Sequence, residues 1–158
     1  MLENLDQVAW ERIGAKEVPE WLRALCSADR IKRNAAFKEL EYYLVPWEAQ
    51  ELCAFGSEQL LELVSREAII RTIPFLIELL GVEEIGDKEL LLLLLTELLD
   101  FRNGEICLEE PQKDTYRSYV RLIHNVVYEG AGQYEHLVQS ASPEIQMGAR
   151  ELTQSLNE

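Results

Sequence analysis

The stretch from Ala68 to Phe101, AIIRTIPFLIELLGVEEIGDKELLLLLLTELLDF, restricts what this chain can fold into more than any other. Leu90 to Leu95 are six leucines in succession, followed by Leu98, Leu99 and Phe101. On a helix such a run puts leucine at nearly every angle, so the helix needs neighbours on more than one side. A bilayer does not supply them. Glu89 and Glu97 bracket an uncharged run of seven residues, against the roughly 20 needed to cross a membrane.

The helix before it carries Ile69, Ile70, Ile73, Phe75, Leu76, Ile77, Leu79 and Leu80, a wide apolar face at helical spacing. Pro74 lies inside it and predicts a kink, a break or the first turn of a new helix. Gly81 is the expected stop, and Asp87 the expected N-cap of the leucine-rich helix.

The remaining chain reads as the cover. Leu2 to Ile13 is expected to form a short amphipathic helix stopped by Gly14, and Glu17 to Ala28 the next, with Pro19 in its first turn. Asp29 caps a helix running to about Leu44, ended by Pro46. Ala36, Phe37, Leu40, Tyr43 and Leu44 share one stripe of that helix, with Arg33 among them. Ile31, Ala35 and Tyr42 share the opposite stripe, expected to pack on the N-terminal helix and otherwise a partner surface. Trp47 to Phe55 reads as a short helix or compact loop, and Ser57 as the cap of the helix after it. Residues 102–114 are the longest expected loop, with Asn103-Gly104 and Pro111. Thr115 to Glu129, Gln133 to Gln139 and a Ser142-capped helix to about Leu156 complete the chain. No stretch alternates with period two, so the fold class is all-α.

At 158 residues the chain is expected to form one domain. Its formal charge of −14 is uneven: residues 51–101 hold 11 acids and 3 bases. That balance repels nucleic acid and anionic membrane, keeps a protein soluble, and favours a basic partner. Cys26, Cys53 and Cys107 are far apart, odd in number and set among apolar residues. They read as small buried thiols of a reduced, cytoplasmic protein.

The pairs of helices repeat a pattern. Asp29, Ala36 and Leu40 of the first pair match Asp87, Leu94 and Leu98 of the middle one at offsets 0, 7 and 11, and Arg33 stands at offset 4 of the first pair alone. Ser142, Pro143, Glu144, Ile145, Gln146 and Ala149 belong to the last. This resembles the HEAT repeat, which places an acid at the turn, then a β-branched residue and an arginine, then a small residue where helices approach closely. "IPFLIELL" before a leucine-rich helix is similar to a group of bacterial HEAT-like repeat proteins. The resemblance covers roughly residues 18–156. It departs at Lys32, Leu91 and Gln146, where a β-branched residue or arginine would stand.

It implies a short α-solenoid of about three helix pairs plus an N-terminal helix: residues 1–16, then pairs at 17–56, 57–101 and 115–156. An irregular helical bundle is the alternative. The role implied by the resemblance is protein binding without catalysis, in the manner of armadillo-like helical arrays. If the second helix of each pair lines the inner surface, Glu39, Tyr42, Glu97 and Asp100 face the partner.

No catalytic, cofactor or metal motif stands out. His124 and His136 have no glutamate three residues before them, Glu83, Glu84 and Asp87 do not match a calcium loop, and no phosphate-loop or nucleophile pattern occurs. Arg117, Arg121, His124 and Tyr128 share one helix face, opposite the apolar Tyr116, Tyr119, Val120, Ile123, Val126 and Val127. That cationic stripe is either a dock for an acidic group or a solvated face. Trp10, Trp21 and Trp47 are interface anchors or core at repeat boundaries. Two further functions stay open. One is an acidic inhibitor or immunity-type protein steered onto a basic site. The other is an accessory lyase-like subunit.

Overall fold

A computed structural model describes residues 1–48 and 51–158. Eight α-helices are described: α1 (Val18–Ala24), α2 (Arg30–Leu44), α3 (Ser57–Val64), α4 (Glu67–Leu80), α5 (Lys88–Leu99), α6 (Glu110–Tyr128), α7 (Ala131–Leu137) and α8 (Pro143–Leu156). Short 3-10 helices lie at Leu5–Gln7, Leu52–Ala54 and Asp100–Cys107. No strand occurs among the described residues. No described helix is long and apolar enough to cross a membrane.

The leucine-rich helix, α5, is the centre. It packs against α8, α6, α4 and α2. Leu91, Leu92, Leu94, Leu95, Leu98 and Leu99 are buried, and only Leu93 of the six-leucine run is well exposed. The contact with α8 is the most extensive and is made possible by small residues. A Cβ at Gly148 would lie 3.3 Å from the Leu92 Cβ, and neighbouring Ala149 is fully buried. The helices α2, α5 and α8 thus stack in that order, with α1 against α2, α4 against α5 and α7 against α8. The helix α3 is additional to the α4/α5 pair, and α6 packs across α3 and α4.

Several local expectations hold. The Asp29 carboxylate accepts from the Ile31 amide at 2.9 Å, and the Ser142 hydroxyl accepts from Ile145 at 3.4 Å, so both start helices as N-caps. The apolar face of α6 is inward, with Tyr116, Ile123 and Val127 buried.

Other expectations are corrected. The N-terminal segment is turns and one 3-10 turn rather than a helix. Its apolar side chains pull it onto α4: the Trp10 indole donates to Leu5 O at 2.8 Å and its ring lies 5.9 Å from Phe75, while the Leu2 amide donates to Glu78. With that segment on α4, the second stripe of α2 is uncovered, leaving Ile31 80% and Tyr42 77% exposed. Pro74 neither breaks nor starts a helix; α4 runs through it, with its ring on the exposed side. Asp87 stands at the N-cap position of α5 as expected but gives no side-chain cap: its φ is left-handed, at 58°, and its carboxylate accepts from Arg33 Nε instead. Gly56, not Ser57, is the N-cap of α3; the Ser57 hydroxyl accepts from the Glu109 amide. The loop expected at residues 102–114 is largely helical, since the Asp100–Cys107 turn is held by Tyr116, whose hydroxyl donates to Phe101 O at 2.6 Å. Of the Trp47–Phe55 segment, residues 49 and 50 lie outside the described residues.

The cysteines are the largest correction. Cys53 and Cys107 form a disulfide with a Cα–Cα distance of 5.1 Å, leaving Cys26 as the free thiol. Spacing along the chain gave no sign of it, because the pair is 54 residues apart and brought together only by packing of the two 3-10 helices. The cytoplasmic location expected from reduced thiols loses that support.

Candidate functional site

The two helices of the stack's first interface, α2 and α5, end side by side. The last turn of α2 carries Glu41 and Tyr42, and the last turn of α5 carries Glu97, with Asp100 directly after it. Between these ends and the residues Val45 to Glu48 and Glu51 lies a cleft of about 560 Å³. Its floor is Val45 and Trp47; its sides are Lys38, Glu41, Tyr42, Pro46, Glu48, Glu51, Glu97 and Asp100. Trp47 is held in place edge-on against Phe101, with ring centroids 4.2 Å apart.

Five carboxylates and one lysine give this cleft a negative potential. The two helix C-termini add to it, since unpaired carbonyls carry partial negative charge. One of these ends is partly relieved: Arg66 donates to Tyr43 O at 2.7 Å and stacks 5.0 Å over the Tyr43 ring.

Glu97 records the potential most clearly. Burial, then the neighbouring Glu41 carboxylate and a hydrogen bond to it, then Asp100, push its acid up to about 8. As a carboxylate, Glu97 has a buried Oε2 with no donor. A proton shared with Glu41, or a cation entering the cleft, supplies one. Asp100 is also raised, by burial first; Arg102 beside it acts in the opposite direction and Glu158 adds to the rise. Among the described residues, no three His, Cys, Asp or Glu side chains converge in a way that holds a metal ion. The chemistry on offer is therefore capture of a cationic, hydrogen-bond-donating group. The aromatic walls Tyr42 and Trp47 suit the apolar stem or face of such a group.

Of the residues singled out from sequence, Tyr42, Glu97 and Asp100 meet in this cleft; Glu39 is exposed on α2 but does not line it. Glu41, Glu48 and Glu51 were missed, while Trp47, offered from sequence as an interface anchor or core, is buried at the floor of the cleft. Glu41 is adjacent to Tyr42, but periodicity does not distinguish a cleft-facing acid from a solvated one.

The α6 stripe is less available. Arg117 is paired with Glu105 and, at 3.2 Å, with Asp114. Salt-bridging to Glu105 and then to Asp114 raises its already high proton affinity. His124 Nε2 is 3.0 Å from Leu156 O, and its ring stacks on Tyr128. Arg121 and Tyr128 remain exposed. Of the tryptophans, Trp10 and Trp47 are buried, and Trp21 packs against Tyr43.

Comparison with protein-family models, with curated proteins and with solved structures finds no match to this chain.

Proposed function

We propose that this chain is a non-enzymatic protein-binding module that takes a lysine or arginine side chain of a basic partner into the α2/α5 cleft. The observation that carries this is the cleft itself. It gathers five carboxylates, the ends of two helices and two aromatic side chains around a volume that fits one long cationic side chain. Tyr42 belongs both to the cleft and to the exposed Ile31–Ala35–Tyr42 stripe of α2. A partner segment entering the cleft therefore has adjacent apolar surface to lie on. The acidic lining favours a basic protein over nucleic acid.

The stacking of α2 on α5 and α5 on α8 supports a short HEAT-like solenoid as the frame. So does the bond from Arg33 of the first pair to Asp87 at the turn of the next. In such a frame the second helices line one surface, where Tyr42, Glu97 and Asp100 stand.

The test is titration with hexalysine and hexaarginine peptides by calorimetry, at low and high salt. Saturable binding, weakened by salt and by Asp100→Asn with Tyr42→Ala, is the expected result. Equal binding of a hexaglutamate control, or no loss in the double variant, overturns it.

A further inference from the structure

The exposed stripe of α2 is complementary to itself. Ile31, Ala35 and Tyr42 run along its outer face, while the opposite side of the helix packs on α1 and α5. At 1.5 Å of rise per residue, Ile31 and Tyr42 stand about 16 Å apart along the helix, with the small Ala35 between them. Both flanks of the stripe carry charge sorted by end. Arg30 and Glu41 lie on the flank that opens onto the cleft, and Lys32 and Glu39 lie on the other. On each flank the base is near the N-terminus of the helix and the acid near its C-terminus. Arg30 and Lys32 are exposed, and neither forms an ion pair among the described residues. Asp29, the acid at that end, is held by the Ile31 amide. The helix contains four bases and two acids in a chain whose formal charge is −14, so it is where a second acidic copy meets the least repulsion.

We propose that a second copy of the chain docks on this face, its α2 packed antiparallel on the first about a twofold axis near Ala35. This rests on the cleft being a cation-binding site, and names the cation as Arg30 of the other copy. Such an axis reverses the helix end for end and keeps each flank on its own side. Ile31 of each copy then meets Tyr42 of the other, and Lys32 faces the other copy's Glu39. Arg30 reaches Glu41 at the mouth of the other copy's cleft. Lys38 comes opposite Asn34, with no like charge across it. Parallel packing sets base against base and acid against acid, so the charges select the antiparallel arrangement. Three apolar side chains from each copy make a contact below the roughly 1,200 Å² of stable interfaces. The dimer is therefore expected to be weak, with a Kd of about 10–100 μM.

The experiment is sedimentation velocity of the full chain from about 2 to 500 μM, a range that brackets this affinity. The natural chain is expected to pass from monomer to dimer. Lys32→Glu and Glu39→Lys are each expected to weaken dimerisation about tenfold or more, because each sets like charges across the axis. An equimolar mixture of the two variants is expected to dimerise again, since glutamates of one chain then face lysines of the other at both ends. Both positions are exposed and outside the cleft, and recovery in the mixture shows both variants folded. Saturating hexalysine is expected to dissociate the natural dimer by displacing Arg30. A monomer at every concentration overturns the proposal and leaves the stripe to a different partner. A dimer that neither variant weakens also overturns it, because another face then joins the copies. If hexalysine binds the Lys32→Glu monomer without dissociating the natural dimer, Arg30 is not in the cleft; the proposal fails and the cation-binding reading stands. If hexalysine binds neither, the cation-binding reading fails, and the charge exchange alone decides the pairing of the helices.

Discussion

The guanidinium of Arg33 on α2 is bonded through Nε to the carboxylate of Asp87, which opens α5, at 3.0 Å and across 54 residues of sequence. Both side chains are largely enclosed, at 14% and 17% exposure. The same guanidinium donates through Nη1 to Ser27 O and Ala28 O at 3.0 Å, so one residue ties the turn before α2 to the turn before α5. Removing either partner leaves a nearly enclosed charge without its counter-ion. Asp87→Asn is expected to lower stability by about 2–3 kcal/mol in urea unfolding. Asparagine tolerates the left-handed backbone at this position, so the loss reports the ion pair rather than strain. Exposed controls such as Arg121→Ala are expected to change stability by less than about 0.5 kcal/mol.

Gly86 makes room for that guanidinium. A Cβ at this position would stand 2.7 Å from Arg33 Cζ. Gly86→Ala is expected to cost about 1–2 kcal/mol by displacing Arg33. In an Arg33→Ala background the obstruction is gone and the cost should shrink. A double-mutant cycle in thermal unfolding reads this coupling; additive losses would count against the packing account.

Glu97 makes stability fall with rising pH. Its acid is raised to about 8 in the folded chain, from an ordinary value of 4.5. The folded state therefore holds a proton that the unfolded state gives up. This contribution is fully present below about pH 4.5 and is lost as pH climbs through about 8. Glu97→Gln removes the ionisation without removing the hydrogen-bonding group. Its melting temperature is expected to exceed that of the natural chain at pH 9 and to vary less between pH 5 and 9. Some slope remains in the variant, because Asp100 beside it is raised as well. A variant that parallels the natural chain across this range would contradict the assignment.

The disulfide closes a loop spanning α3, α4 and α5, with its cysteines 54 positions apart. Chain-entropy reasoning for a loop of that length gives about 4 kcal/mol of stabilisation as an upper figure. Reduction is expected to lower the urea midpoint by an amount equivalent to about 2–4 kcal/mol, without loss of helical circular dichroism in buffer. The packing of α5 with α4, α6 and α8 does not pass through either cysteine.

Tyr42 separates binding from folding. With 77% of its surface exposed, it contributes little to the core. Tyr42→Ala is expected to leave the unfolding free energy within about 0.5 kcal/mol of that of the natural chain. It is expected to weaken hexalysine binding about threefold to tenfold through loss of an aromatic wall. Calorimetry on the same preparation reads both.

The order of helices was legible before the fold was known because its signals are local. Asp29 and Ser142 cap the turns that follow them, and most leucines of α5 are buried because they crowd nearly every angle of the wheel. Glu39, Tyr42, Glu97 and Asp100 were grouped as residues of second helices, and of these Tyr42, Glu97 and Asp100 line one cleft while Glu39 does not. Tertiary structure decided the rest. A cap signal cannot reveal that Asp87 is claimed by Arg33, nor cysteine spacing that Cys53 meets Cys107. The N-terminal apolar pattern fits a helix, yet burying Leu2, Leu5 and Trp10 against the rest of the core holds that segment in turns. In each case the deciding contact joins residues far apart in the chain. Its free energy depends on how helices stack rather than on the residues beside it.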